Sequence, residues 1–339
     1  MFPPGVTTWF FDPPRALRAL SAARALLRGE PAQVGWMMPA SLWRLVWRRA
    51  LSADAVLAIT VRALRGSLPA PLVLDHVDVL SVNMRRRASG SELPPIRWIA
   101  RLEAPLLARW ERNVCRHAAA QLVISPLEAR LLPTPPGVRV VPNSVDLPAL
   151  SSPGRDLRDI DVIFTGNMAY PPNIDGVRWL SDEIAPVLWA RRPDSSVWVV
   201  GRRADAVALD PRIKVRNDVP DIAEYLRRAK VAVVPLRIGT GSPNKVLEAM
   251  AAGASVVATT TAVEPFGLPA GVAETADTAP AFARAVDRLL ADEEKRTAMI
   301  ERAWEVVVGY GPDAQEERLD AILTEVARQR SRRAVAATR

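Results

Sequence analysis

The sequence predicts an α/β protein of two domains, each built around a parallel sheet. Three observations carry that expectation. Short apolar runs alternate with amphipathic helical segments, most clearly in the second half. The 339 residues suffice for two cores of ordinary size. A stretch rich in Pro, Ser and Gly, from Leu147 to Gly154, marks a linker. The expected division is 1–148, then 149–312, then a C-terminal helix with a basic tail over 313–339. A cleft between the two domains is the expected ligand site.

In the first half, a helix is expected over 15–28, entered after Pro13-Pro14 and stopped by Gly29. Strands are expected over 53–60, 72–74, 121–124 and 138–141, with one long helix over 95–117. In the second half, strands are expected over 161–164, 196–200, 213–215, 231–234 and 255–257. Helices are expected between them over 173–192, 221–229 and 243–252. Three more follow over 279–291, 292–308 and 313–330.

Composition narrows the function. One cysteine, Cys115, and two histidines, His76 and His117, argue against disulfides and against Cys- or His-based metal clusters. No apolar run approaches the roughly 20 residues needed to span a bilayer, and the N-terminus lacks signal-peptide features. A cytoplasmic protein is expected. The formal net charge is +8, and all of the excess lies in residues 1–150. Together with Trp43 to Arg49, a short aromatic and basic helix, this points to an anionic membrane surface as a peripheral partner. No nucleic-acid-binding module accompanies the charge, so nucleic acid is not an expected partner.

The richest segment is Pro235 to Gly253. A buried strand runs into Gly239, Thr240 and Gly241, then into Ser242 as helix cap, Pro243 as first helical residue and Gly253 as stop. A helix start placed at a strand end is an anion site, through its free N–H groups and its dipole. Lys245 and Glu248 share one face of that helix, three residues apart.

That segment, together with Val141-Pro-Asn-Ser-Val-Asp146 and Phe164-Thr-Gly-Asn-Met-Ala-Tyr-Pro-Pro-Asn173, resembles the retaining glycosyltransferases of family 4, which have the GT-B fold. Within that family the chain is similar to bacterial sugar transferases of extracellular polysaccharide assembly. Leu74 to Arg87 also resembles a first-domain segment of the subgroup. The likeness is strong over 138–267 and patchy elsewhere.

The resemblance implies two Rossmann-like domains and transfer of a sugar from a nucleotide-diphosphate donor to a saccharide or lipid-linked hydroxyl acceptor. It implies no cofactor and no metal. Lys245 is expected on the diphosphate and Glu248 on the ribose. Gly166, Asn167, Arg202, Arg237, Gly239, Thr240, Gly241, Ser242 and Val246 are expected to complete the donor site. Asp75 and His76, after a first-domain strand, are candidates near the acceptor. Asp159-Ile-Asp161 spells a metal-binding pattern of another transferase class, but a strand entrance is the wrong place for it.

The chain also departs from the family. Thr240 stands where many members carry a second glutamate, and Asn167 and Asn173 stand where many carry a basic pair. The first domain is expected to lack its first βαβ unit. A non-catalytic nucleotide-sugar-binding or scaffold protein with a degraded acceptor domain is therefore the alternative reading. A sugar-nucleotide epimerase of the same fold is disfavoured by the transferase motifs.

Overall fold

The structure is a computed structural model that describes residues 12–89, 94–132, 137–147, 158–239 and 241–337. The chain divides into two compact units. Unit 1 comprises residues 1–124, 128–140 and 319–339; unit 2 comprises 125–127 and 141–318. The main boundary thus falls at Val141 rather than 149, and the end of the C-terminal helix groups with unit 1. The expected linker lies largely outside the described residues.

Unit 1 opens on three helices, α1 (Arg15–Leu27), α2 (Ala32–Met37) and α3 (Ala40–Ala50). A four-stranded parallel sheet follows in chain order: β1 (Val56–Ile59), β2 (Leu72–Asp75), β3 (Ala118–Val123) and β4 (Val138–Val140). Between β2 and β3 lie α4 (Leu80–Ser89) and α5 (Pro94–Cys115), and the short α6 (Pro126–Ala129) follows β3. Leu72, Leu74, Leu107, Val114 and Cys115 form the centre of the core.

Two buried carboxylates of α5 organise this unit. Glu103 accepts the N–H of Ala32 at 2.8 Å, and Glu111 accepts the N–H of Ser81 at 3.0 Å. Each satisfies an N–H in the first turn of a neighbouring helix, where negative charge is favoured. Trp43 packs half-buried on the core while Trp47 is exposed, so the aromatic pair of α3 divides between interior and solvent.

Unit 2 holds a six-stranded, wholly parallel sheet in the order β10-β9-β8-β5-β6-β7. Its strands are β5 (Ile160–Thr165), β6 (Val197–Gly201), β7 (Lys214–Asn217), β8 (Ala229–Val234), β9 (Ser255–Ala258) and β10 (Glu274–Thr275). Alternate residues feed opposite faces, as the pleat requires. Val162, Phe164, Val199, Val231 and Val233 pack with Trp179 and Phe282 on one side. Ile163, Val200, Ala232 and Val234 pack with Leu247 and Met250 on the other.

The helix expected over 173–192 is present as α7 (Pro171–Trp179), a π-helical turn (Leu180–Ile184) and α8 (Ala185–Arg191). Pro186, with no N–H to donate, explains why the hydrogen-bond ladder shifts just before it. Two later helices matter for the site: α9 (Ile222–Arg227) and α10 (Asn244–Ala251).

The strand order contains a topological switch. The chain winds from β5 through β6 to β7 on one side, and from β8 through β9 to β10 on the other. Ligands of open parallel sheets bind at such a point, at the carboxyl ends of the flanking strands. Here those strands are β5 and β8.

Candidate functional site

The loop after β5 contains Gly166 and Asn167, and the loop after β8 leads through Gly239 and Gly241 to α10. Gly239 adopts φ +143 with open space around its Cβ position, so it is glycine for backbone conformation. Thr240 lies outside the described residues.

Lys245, in the first turn of α10, joins the two loops. Its Nζ donates to the carbonyl of Thr165, the last residue of β5, at 2.7 Å, and to Asn173 Oδ1 at 2.8 Å. It also lies 4.3 Å from the centroid of the Phe164 ring. Asn173 in turn donates from Nδ2 to the carbonyl of Asn167 at 2.9 Å. The asparagine that stands in place of a basic residue therefore positions the lysine.

Gly166 is required beneath this cluster, because a Cβ there would meet Asn173 Nδ2 and Lys245 Nζ at 2.9 Å. Gly201, at the end of β6, is tighter still. Its φ is +145, and a Cβ would lie 2.0 Å from the Gly166 carbonyl oxygen.

Burial governs the electrostatics of the Lys245 cluster. Burial lowers the Lys245 pKa to about 7, opposed by the nearby Glu248 carboxylate. Among the described residues no carboxylate lies within ion-pair distance of Lys245. Burial pushes Glu248 upward from the usual carboxylate range, opposed by Lys245. Two opposite charges on one helix face are thus partly shielded from water without forming an ion pair.

Other expected residues fall differently. Ser242 is not the helix cap: Pro243 occupies that position and α10 begins at Asn244, because the chain makes its turn one residue later. The Ser242 hydroxyl is buried and without a partner among the described residues. Val246 is wholly buried in the core and its N–H is donated to the Pro243 carbonyl, so it packs the helix and offers no donor to a ligand.

Arg237 is held by Asp175 of α7 in a bidentate pair at 3.0 and 2.7 Å, over the Trp179 ring. Arg202 is exposed just beyond β6, and its carbonyl accepts the N–H of Met168. Asn143, from the Pro-Asn-Ser-Val-Asp motif, donates to Asn244 Oδ1 at 3.2 Å, which brings two of the sequence motifs together at the start of α10.

Asp159 pairs with Arg228, and Asp161 pairs with Lys230 at 2.7 Å. Both are structural, and among the described residues no group of acids, His and Cys is arranged to hold a metal.

In unit 1, Asp75 sits half-buried at the carboxyl end of β2 and accepts the N–H of Val77 at 3.0 Å. Val77 has φ +59, a strained conformation for a β-branched residue. His76 corrects the expectation of an acceptor-facing group. It is fully buried, with Nε2 3.1 Å from Gln121 Oε1 and 3.8 Å from Cys115 Sγ, and desolvation lowers its pKa. It is a core residue.

Glu128 was not among the sequence candidates. Burial raises its pKa to about 7, reinforced by Asp78 and Asp75. Its sequence signal is Ser125-Pro-Leu-Glu128, a capping-box pattern with Pro at the first helical position.

Comparison with known proteins is consistent with this geometry. Residues 159–292 match the family Glycosyl transferases group 1. No curated protein matches the sequence. The fold is that of GT-B glycosyltransferases. Anabaena HepE in complex with UDP aligns with a TM-score of 0.63 at 15% identity, over 84% of this chain and 82% of that one. Sucrose-phosphate synthase from Thermosynechococcus elongatus aligns at 0.60 and 17%, over 87% and 77%. A glycosyltransferase from Rickettsia africae aligns at 0.56 and 12%, over 84% and 80%. The group 1 match spans β5 to α10 and beyond, and so contains the whole Lys245 cluster. Among the described residues no helix is long and apolar enough to cross a membrane.

Proposed function

We propose that this chain is a glycosyltransferase that moves a sugar from a nucleotide-diphosphate donor to a hydroxyl acceptor with retention. Its place is in the assembly of cell-surface polysaccharide or glycolipid, peripheral to the inner face of the membrane. The observation that carries the reading is the position of Lys245. It bridges the two strands of the topological switch, at the start of a helix, inside the segment that matches the group 1 family. The UDP in the Anabaena HepE structure supports a nucleotide donor. Retention and the pathway rest on the resemblance to family 4.

In this mechanism a diphosphate binds at the loops after β5 and β8. Lys245 and the N–H groups at the start of α10 stabilise the negative charge that develops on the leaving diphosphate. Glu248, one turn along the same face, accepts the ribose hydroxyls and fixes the nucleotide. The site needs no protein nucleophile, and no metal is expected in it.

Calorimetry with UDP, GDP and ADP tests the donor site. One nucleotide is expected to bind, and Glu248→Ala to weaken it by about tenfold or more through loss of charge-assisted hydrogen bonds. No binding of any of the three rejects the site. Binding with neither donor hydrolysis nor transfer across an acceptor screen favours the non-catalytic reading instead.

A further inference from the structure

Unit 1 contains a cavity of about 410 Å³ bordered by Arg28, Arg109, Trp110, Arg112, Asn113 and Arg116. Its charge is one-sided by construction. Residues 109, 112, 113 and 116 recur at three- and four-residue spacing, which places them on one face of α5 and the turn beyond it. Arg28 arrives from the end of α1, where Gly29 at φ +69 stops the helix and turns the chain.

Like charges at such spacing repel. The acids of α5 are directed elsewhere: Glu103 to α2 and Glu111 to α4. Glu30 also borders the cavity, but its carboxylate is taken by Arg65 at 2.7 Å. Among the described residues none of the four guanidinium groups has a carboxylate partner. Four cations thus border one concavity of ligand size.

We propose that this cavity binds a phosphate-bearing anion. Arginine forks suit phosphate oxygens in pairs, and Asn113 supplies a neutral donor. The site is built from residues of unit 1 alone. α5 runs back to the start of β3, so the cavity lies at the amino-terminal edge of that strand. Asp75, Glu128 and the usual ligand end of a parallel sheet are at the opposite edge. The phosphate can belong to a soluble phosphomonoester or to a lipid headgroup, and the two sources share the same recognition chemistry.

The test uses the full chain and two probes. One is glycerol 1-phosphate, titrated by calorimetry. The other is a vesicle co-sedimentation series, comparing phosphatidylcholine alone with an equal mixture of phosphatidylcholine and phosphatidylglycerol. The double variant Arg112→Gln/Arg116→Gln changes exposed side chains and is checked for folding by circular dichroism and by retained UDP binding. Arg44→Gln/Arg48→Gln on α3 controls for diffuse charge.

Saturable binding of glycerol 1-phosphate, weakened about tenfold or more in the Arg112/Arg116 variant, supports a soluble ligand. Binding only to the anionic vesicles, lost in the same variant and kept in the α3 control, supports a lipid headgroup. Absence of both, or equal loss in the α3 control, overturns the proposal.

Discussion

The two units handle charge in opposite ways. Unit 2 closes its surface with ion pairs that tie one element to another. Arg191 and Arg192 hold Asp287, Arg228 holds Asp159, and Arg288 and Lys295 hold Glu274. Against that background Lys245 and Glu248 stand out, because they are half-buried and not in contact with each other. Unit 1 has an excess of arginine, and many of its large apolar side chains, including Leu27, Trp98, Ile99 and Leu102, reach solvent. An unpaired charge in a balanced unit marks a small, defined site. Unpaired charges spread over a unit mark a surface addressed to an external anion.

The largest expected effect tests how rigid unit 2 must be around its site. Gly201→Ala would place a Cβ into the Gly166 carbonyl and force the loop after β5 to move. A loss of about 3 kcal/mol is expected from the clash and the backbone strain together. Urea unfolding measures it, with UDP binding lost in the protein that remains folded. A loss below about 1 kcal/mol would show that the two loops are not locked together.

A smaller effect concerns the buried cation. The folded pKa of Lys245 is depressed to about 7, so the unfolded chain binds more protons than the native one between about pH 7 and the ordinary lysine value. The sign is therefore fixed. This group adds stability as pH rises above about 7, and that stability is lost as pH falls through 7. Compared with Lys245→Met, the wild type should gain about 1 kcal/mol per pH unit from pH 7 to 9, measured by urea unfolding at each pH. A constant difference across that range would mean that Lys245 is an ordinary exposed cation.

Ligand binding sharpens the same point. A diphosphate at Lys245 restores the proton, so UDP binding above pH 7 should take protons up from the buffer. Calorimetry in buffers of different ionisation enthalpy reads the number directly, and zero uptake separates the nucleotide from Lys245.

The smallest effect is expected at Arg237. Its pair with Asp175 is largely exposed, and such pairs contribute little. Asp175→Asn should cost under about 1 kcal/mol in stability. If freeing Arg237 tightens UDP binding by calorimetry, the arginine is a latent diphosphate ligand. Unchanged binding makes it a strut for the loop after β8.

The legible parts of the sequence were those where local chemistry and packing agree. The strands at 161–164 and 231–234 each lie within a slightly longer observed strand, since buried parallel strands read as continuous apolar runs. Lys245 was legible because the Gly-rich turn and the helix start flank it. Its partner Asn173 was noticed only as a departure, because a contact between residues this far apart in sequence leaves no local pattern. The Ser242 cap failed by one residue, within the ordinary uncertainty of helix ends. His76 was misplaced for a plainer reason. Its position after a strand predicted a ligand, but periodicity does not say that Gln121 and Cys115 enclose it. The cavity beside α5 was invisible, since it needs the turn after α1 brought beside that helix.

Lysine is scarce in this chain, and that has a practical consequence. Only Lys214, Lys230, Lys245 and Lys295 are present among 45 basic residues. Lys230 and Lys295 are tied to carboxylates. Burial brings the Lys245 pKa down to about 7, which favours the free amine. A small uncharged acylating reagent such as isocyanic acid should therefore modify this residue first. Mass spectrometry of the carbamoylated peptide, with and without nucleotide, would then turn one side chain into an occupancy gauge for the whole donor site.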